Sequence, residues 1–113
     1  MTKPPSFLKE TFEVDGRQFV VQVIEFENGR FISVSEGSER IGSMVVSLSS
    51  GPTPITTTVI PAKTDGLFMK LTAERISSKT RGIAIVSAFF QRELDSNSAK
   101  LLMSKIMDLM TND

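Results

Sequence analysis

The first sixty residues alternate apolar and polar positions with the two-residue period of β-strands. Asp15-Gly16 and Asn28-Gly29 separate the first three of these runs. Such dipeptides favour two-residue β-hairpins, because the type I′ turn requires positive φ at both of its central residues. The pattern predicts an antiparallel meander with strands over about residues 7–14, 17–27 and 30–35, followed by strands over about 43–50 and 55–60.

The period changes after Pro61, where apolar residues recur at helical spacing. Thr64 or Asp65 is expected to cap this helix and Gly82 to stop it. The pattern predicts a helix over about 66–80, a strand over about 83–90 and a last helix over about 97–111, for which Asp95-Ser96-Asn97 offers capping residues. The predicted fold is therefore α+β: an antiparallel sheet of about six strands, with one helix between strands five and six and one at the C-terminus.

The second predicted strand is apolar on both of its sides, which is unusual for an antiparallel strand. One side carries Phe19, Val21 and Val23, and the other carries Val20, Ile24 and Phe26. Two helices cannot readily cover both faces of one sheet. The last predicted helix is a poor cover, because its own apolar arc is too wide to be buried against the sheet alone. This pattern favours a dimerising domain that uses apolar surface to bind a partner.

The apolar arc of the last predicted helix is wider than one core-facing stripe. Leu102 and Ile106 are expected to face the core. Leu101, Met107 and Met110 are predicted to contact a partner, since the flexible side chain of methionine suits adaptable apolar surfaces. In isolation the chain is expected to form a homodimer or to aggregate.

Charge is balanced over the whole chain, with 13 basic and 13 acidic residues, so no strong field attracts nucleic acid or an anionic membrane. The first helix and the residues just after it are different, because they carry a surplus of positive charge. The basic residues are Lys70, Arg75, Lys79 and Arg81, and the single acidic residue is Glu74. We predict that Arg75, Lys79 and Arg81 contact an acidic partner. The alternatives are a solvated helix face, or packing of the Arg75 stem over the sheet.

No residue pattern indicates catalysis or a cofactor. The chain has no His and no Cys, and the threonines at 56–58 lie in a strand pattern without a base beside them. The glutamates at 25, 27, 36 and 39 could in principle pair for acid–base work or bind a hard cation. Alternation places Glu25 and Glu27 on one side of a strand beside a turn, where solvated charges are normal, so no metal site is expected. No glycine motif for a nucleotide phosphate occurs. We therefore expect a non-enzymatic protein without a cofactor.

The apolar runs are too short to span a bilayer, and the N-terminus lacks the apolar core of a signal peptide. Two adjacent prolines predict a flexible leader over residues 1–6, before a single domain over 7–113. These features favour a cytoplasmic or nuclear location.

Several segments together resemble the proteasome assembly chaperone 4 family over about residues 17–111. They are Pro-Ile-Thr-Thr-Thr-Val-Ile at 54–60, Ala-Glu-Arg-Ile-Ser-Ser-Lys-Thr at 73–80, the strand that ends in Ile85-Val86-Ser87, and Asp95-Ser96-Asn97 before the last helix. The resemblance implies an antiparallel sheet with two helices and a heterodimer with proteasome assembly chaperone 3. It also implies transient contact with proteasome alpha subunits, and a location in the eukaryotic cytoplasm and nucleus.

The leading hypothesis from the sequence is a non-catalytic chaperone that promotes assembly of the alpha ring of the 20S proteasome core particle. The alternative is a small dimeric scaffold module of the roadblock or longin kind, acting in signalling or trafficking. Proteins retained on the chain as bait separate the two hypotheses, since alpha subunits are expected in the first case and small GTPases or trafficking complexes in the second.

Overall fold

A computed structural model of the chain describes residues 6–111, which form a six-stranded sheet and two helices. The elements are β1 (Ser6–Val14), β2 (Arg17–Phe26), β3 (Gly29–Glu36), β4 (Ser43–Leu48), β5 (Ile55–Ile60), α1 (Gly66–Thr80), β6 (Ile83–Phe89) and α2 (Ser96–Thr111). The predicted α+β class and the positions of both helices are confirmed. Residues 1–5 of the predicted leader lie outside the described residues, and Ser6 already belongs to β1, where it pairs with Glu25.

The strands lie in the order β1-β2-β3-β6-β4-β5. Neighbours pair antiparallel, as predicted, except that β3 and β6 are parallel. This pairing arises because β6 follows the α1 crossover and enters the sheet between β3 and β4. Short hairpins join antiparallel neighbours, whereas a parallel neighbour needs a long crossover connection. The sheet is therefore mixed rather than purely antiparallel.

The two predicted hairpin turns differ in their geometry. Asp15 and Gly16 both have positive φ, as the type I′ prediction requires. Asn28 and Gly29 do not, because the second turn lies at residues 27–28 and Gly29 is already the first residue of β3. Glycine is needed there for another reason: a β-carbon at position 29 would lie 2.3 Å from the carbonyl oxygen of Ile83 on β6.

The junction after α1 also differs from the predicted glycine stop. Arg81, not Gly82, adopts the left-handed conformation with φ of 53°. The N–H of Gly82 donates to the carbonyl of Ser77 over 3.1 Å, which satisfies a carbonyl at the helix end. Gly82 is required by crowding, because a β-carbon there would lie 2.4 Å from the oxygen of Asn28.

The helix starts use their aspartates in two ways. Asp95 caps α2 as predicted, since its Oδ1 accepts the N–H of Ser98 over 2.7 Å, and this bond lowers the pKa of Asp95. Asp65 occupies the start of α1 but makes no side-chain bond to its own helix. Its Oδ1 instead accepts the N–H of Leu94 over 3.2 Å, so it ties the start of α1 to the segment that precedes α2.

Both helices pack on the same face of the sheet and enclose the core. Leu102 and Ile106 are fully buried, as predicted from the spacing in α2. At one end of the core the ring of Phe90 meets those of Phe19 and Phe68 edge-on, each at a centroid distance of 5.8 Å. With both helices on this face, the described elements leave the opposite face of the sheet uncovered.

Candidate protein-binding surfaces

The uncovered face of the sheet carries a continuous apolar patch, which we call the open-face patch. Strand register aligns its residues in two adjacent rows: Phe7, Ile24, Phe31, Ile85 and Val46 in the first, and Phe26, Ile83, Leu48 and Ile55 in the second. Ile55 is 66% exposed and Phe7 is 55% exposed. Patches of this kind in soluble proteins mark surfaces that bind other proteins.

The structure explains why β2 is apolar on both sides. Phe19, Val21 and Val23 point to the helices and are buried in the core. Ile24 and Phe26 point the opposite way into the open-face patch. The prediction that the two helices do not cover both faces of the sheet is confirmed for the described residues.

The same face becomes polar beyond the open-face patch, which limits the patch to one end of the sheet. Lys9, Gln22 and Ser33 align in the row next to that of Ile24 and Phe31. Glu39 accepts a hydrogen bond from Gln22 Nε2 over 2.7 Å and forms an ion pair with Lys9 at 3.1 Å. A partner that covers the patch would therefore meet a polar rim on this side.

A second concave surface lies between α1 and α2, and we call it the interhelix groove. It has a volume of about 1000 Å³. Its apolar lining includes Leu67, Phe68, Leu71, Met103 and Met107. Leu67 and Leu71 are exposed, so the groove is open to solvent along α1.

The structure gathers some of the predicted contact residues and separates others. Arg75, Lys79 and Met107 line the interhelix groove together. Leu101 and Arg81 are exposed outside it. The partner-binding role of all these residues stays a prediction.

Met110 does not have the exposure that the sequence suggested. It is 8% exposed and belongs to the core, because the last turn of α2 lies near Leu8 and Val23 at the end of the sheet. The apolar arc of α2 is wide partly because Leu102, Ile106 and Met110 all join the core. A partner could reach little of Met110 on the isolated chain.

The Arg75 side chain extends across the groove instead of packing over the sheet. It is exposed on α1, and its Nη1 lies 3.5 Å from the Sδ of Met103 on α2. The neighbouring Glu74 points the other way, where its Oε2 accepts the Thr56 hydroxyl over 2.7 Å. The single acidic residue of this segment is thus directed to the sheet, and Arg75 and Lys79 remain at the groove.

A buried ion pair that the sequence analysis missed supports one wall of the groove. Arg17 Nε and Nη2 donate to the two carboxylate oxygens of Glu36 over 2.9 and 2.6 Å. The guanidinium also donates to the carbonyls of Arg92 and Glu93, and Glu36 accepts the N–H of Gln91 over 2.9 Å. These bonds fix the segment before α2, which contributes Glu93 to the groove.

This pairing determines the electrostatics of both groups. The hydrogen bond with Arg17 lowers the pKa of Glu36, and the bond with Glu36 raises the pKa of Arg17. The alternation of β2 contained a signal, since Arg17 shares the inward-facing side with Phe19 and Val21. The sequence analysis gave Glu36 no partner, and the structure pairs its carboxylate with Arg17.

The arrangement of the described residues bears on metal binding, on the candidate threonine and on membrane insertion. Among residues 6–111, no group of three or more acidic side chains is placed to hold a metal ion. Thr56 donates its hydroxyl proton to Glu74 Oε2 over 2.7 Å and lies 3.1 Å from the Ser47 hydroxyl, so it is part of the packing between β5 and α1. In the same range, neither helix is long and apolar enough to cross a membrane.

The fold has a counterpart among solved structures. A chain from the crystal structure of a novel chaperone complex for yeast 20S proteasome assembly is similar to this one, with a TM-score of 0.76 and 13% sequence identity over 94% of each chain. The two chains share their fold. No protein-family model matches the sequence, and no curated protein matches it. The likeness therefore rests on architecture, since so low an identity carries no residue-level correspondence.

A charge-reversal variant tests the cations of the interhelix groove. We expect Arg75→Glu with Lys79→Glu to slow association with an acidic partner and to remove the salt dependence of the association rate, because exposed charges act mainly on encounter. The free energy of unfolding should change by only about 0.5–1 kcal/mol, since both side chains are exposed. Stopped-flow association kinetics and thermal melts measure the two effects.

Lys63→Glu with Lys70→Glu is the matched control, because it makes the same charge change at exposed positions outside the groove. Unchanged kinetics in the groove variant, or an equal effect in both variants, would mean that Arg75 and Lys79 form only a solvated face.

Proposed function

We propose that this chain is a non-catalytic proteasome assembly chaperone, which pairs with a second chaperone through its open-face patch. The observation that carries the proposal is an apolar sheet face left uncovered on a fold that is shared with a chain of a proteasome assembly chaperone complex. An exposed apolar patch of this size marks a surface that another protein buries. In a complex of chaperones, the second chaperone can bury it.

The patch suits a partner that presents an apolar sheet of its own. Two sheets pack face to face about 10 Å apart with interdigitating side chains. A stable interface of standard size buries roughly 800 Å² on each partner. The resemblance of the sequence to proteasome assembly chaperone 4 supports proteasome assembly chaperone 3 as that partner. Without it, the chain is expected to pair with itself or to aggregate.

The pair would act on the alpha ring of the 20S core particle. Binding a transient face of an alpha subunit disfavours wrong associations of that subunit, and completion of the ring weakens the binding, so that the chaperone leaves. This activity requires surfaces rather than catalytic groups. The cytoplasm and the nucleus are the compartments that the same resemblance supports.

The deciding experiment uses the full chain as bait in eukaryotic cells, next to its Ile85→Glu variant. We expect the wild-type chain to retain a second small chaperone and proteasome alpha subunits, and the variant, altered in the middle of the open-face patch, to lose the chaperone. Recovery of small GTPases or trafficking complexes in place of alpha subunits would favour the roadblock or longin alternative and overturn the proposal.

A further inference from the structure

We infer that the interhelix groove is a second docking surface, and that its occupant is an acidic amphipathic helix of another protein. The inference goes beyond the proposed function, because the groove lies on the helix side of the domain, across the sheet from the open-face patch. It rests on the shape of the groove, its apolar lining and the placement of its charges.

The shape of the groove favours a helix. α1 and α2 lie side by side on the sheet, and the side chains of a third helix can fit into the groove between them. The 15 residues of α1 span about 22 Å, which matches roughly four helical turns of an occupant. A helix laid in such a groove uses apolar residues spaced three and four apart as anchors.

The lining provides sites for those anchors. Leu67 and Leu71 project from α1, and they are 68% and 46% exposed. Met103 and Met107 line the opposite wall from α2. Methionine side chains adapt to the shape of what they bind, so this wall suits the packing of leucine-class side chains.

The cations of the groove lie on both walls and select for carboxylates. Arg75 and Lys79 stand on α1, and Lys100 stands on α2 one turn before Met103. Arg75 lies beside Met103, midway along α2. An occupant with carboxylates along the borders of its apolar stripe would place them against these groups.

The acidic residues of the groove lie mainly at one of its ends. They are Asp65 and Glu93, where both helices begin, and Asp108 near the end of α2. The Asp65 carboxylate already accepts the N–H of Leu94 and the hydroxyl of Thr64. The charged side chain next to the middle of the groove is therefore Arg75, which lies beside Met103.

The charges also exclude a helix from a second copy of this chain as the occupant. α1 would bring its Arg75 and Lys79 against the same two residues of the first copy. α2 carries two basic residues, Lys100 and Lys105, and one acidic residue, Asp108. Both helices would place like charges next to each other, which disfavours self-docking.

Two synthetic 15-residue helical peptides with leucines on one face test the inference. In one peptide the positions beside the leucines are glutamates, and in the other they are lysines. We expect the full chain to bind the glutamate peptide at least about tenfold more tightly, as measured by fluorescence anisotropy. Equal binding of both peptides, or no binding of the glutamate peptide, would overturn the inference.

Matched variants locate the binding. Leu71→Ser in the groove and Leu101→Ser outside it truncate leucines of nearly equal exposure, 46% and 44%. Arg75→Glu and Arg81→Glu form a second pair, of which only Arg75 lines the groove. We expect Leu71→Ser and Arg75→Glu each to weaken binding about tenfold and the two controls to leave it within about twofold. Equal losses within either pair would contradict docking in the groove.

The Ile85→Glu variant separates this inference from the proposed function. Ile85 lies on the opposite face of the sheet, so the variant should bind the glutamate peptide like the wild-type chain. Loss of the peptide in this variant would show that the open-face patch, and not the groove, binds it, and would overturn the inference. If the Ile85→Glu variant loses the partner chaperone but still binds the glutamate peptide, the result supports both the proposed function and this inference.

Discussion

Ile85→Glu is expected to weaken pairing with the proposed partner chaperone at least about a hundredfold. Ile85 lies in the middle of the open-face patch, between Phe31 on β3 and Val46 on β4. A carboxylate there would be buried against apolar side chains without a hydrogen-bonding partner, which costs several kcal/mol, and each 1.4 kcal/mol lowers affinity about tenfold. Calorimetry on the purified pair measures the loss.

The matched control is Thr11→Glu, which adds the same charge on the same face of the sheet but at the edge strand β1, outside the patch. Circular dichroism on both variants verifies that the sheet is retained. If Ile85→Glu binds like the wild-type chain, or if Thr11→Glu is equally impaired, the open-face patch is not the pairing surface.

Arg17→Met is expected to destabilise the fold by about 3–5 kcal/mol, a large share of the roughly 5–15 kcal/mol that a domain of this size has. The variant leaves the Glu36 carboxylate buried opposite an apolar side chain. It also removes the donors that bind the carbonyls of Arg92 and Glu93. Chemical denaturation followed by circular dichroism measures the change in the free energy of unfolding.

The double variant Arg17→Met with Glu36→Gln should be more stable than Arg17→Met alone, because no buried charge remains unpaired. Equal stability of the single and double variants would show that the buried carboxylate is not the cause of the loss. The interhelix groove should respond as well, since the same ion pair fixes the segment that contributes Glu93 to its lining.

The same pair predicts how stability depends on pH. Arg17 lowers the pKa of Glu36 in the folded chain below its ordinary value of 4.5. A group with a lowered folded pKa contributes its stability above the ordinary pKa and loses it as the pH falls towards the folded pKa. The wild-type chain should therefore lose stability in acid below about pH 4.5, and the double variant should lose less over the same range.

The two candidate surfaces lie on opposite sides of the domain, so both can be occupied at once. The strands form the open-face patch, and α1 and α2 form the walls of the interhelix groove. A chaperone that joins a partner through the sheet would keep its helices available for a third protein. This arrangement suits a protein whose function depends on binding surfaces rather than on catalytic groups.

Most of the secondary structure could be predicted from the sequence, because it depends on residues close together in the chain. The apolar period changes after Pro61 from that of strands to that of a helix, and Asp95 caps α2 as expected. The apolar outer side of β2 already indicated that the two helices leave one sheet face uncovered. Such signals act over two to four residues and survive in any tertiary arrangement.

The tertiary structure alone decided which distant residues meet. The insertion of β6 next to β3 depends on how the α1 crossover returns to the sheet, and it is this insertion that requires glycine at position 29. Arg17 and Glu36 lie 19 residues apart, and the approach of α2 to α1 brings Arg75 to Met103. Contacts of this kind follow from the packing of whole elements on one core, which local periodicity does not encode.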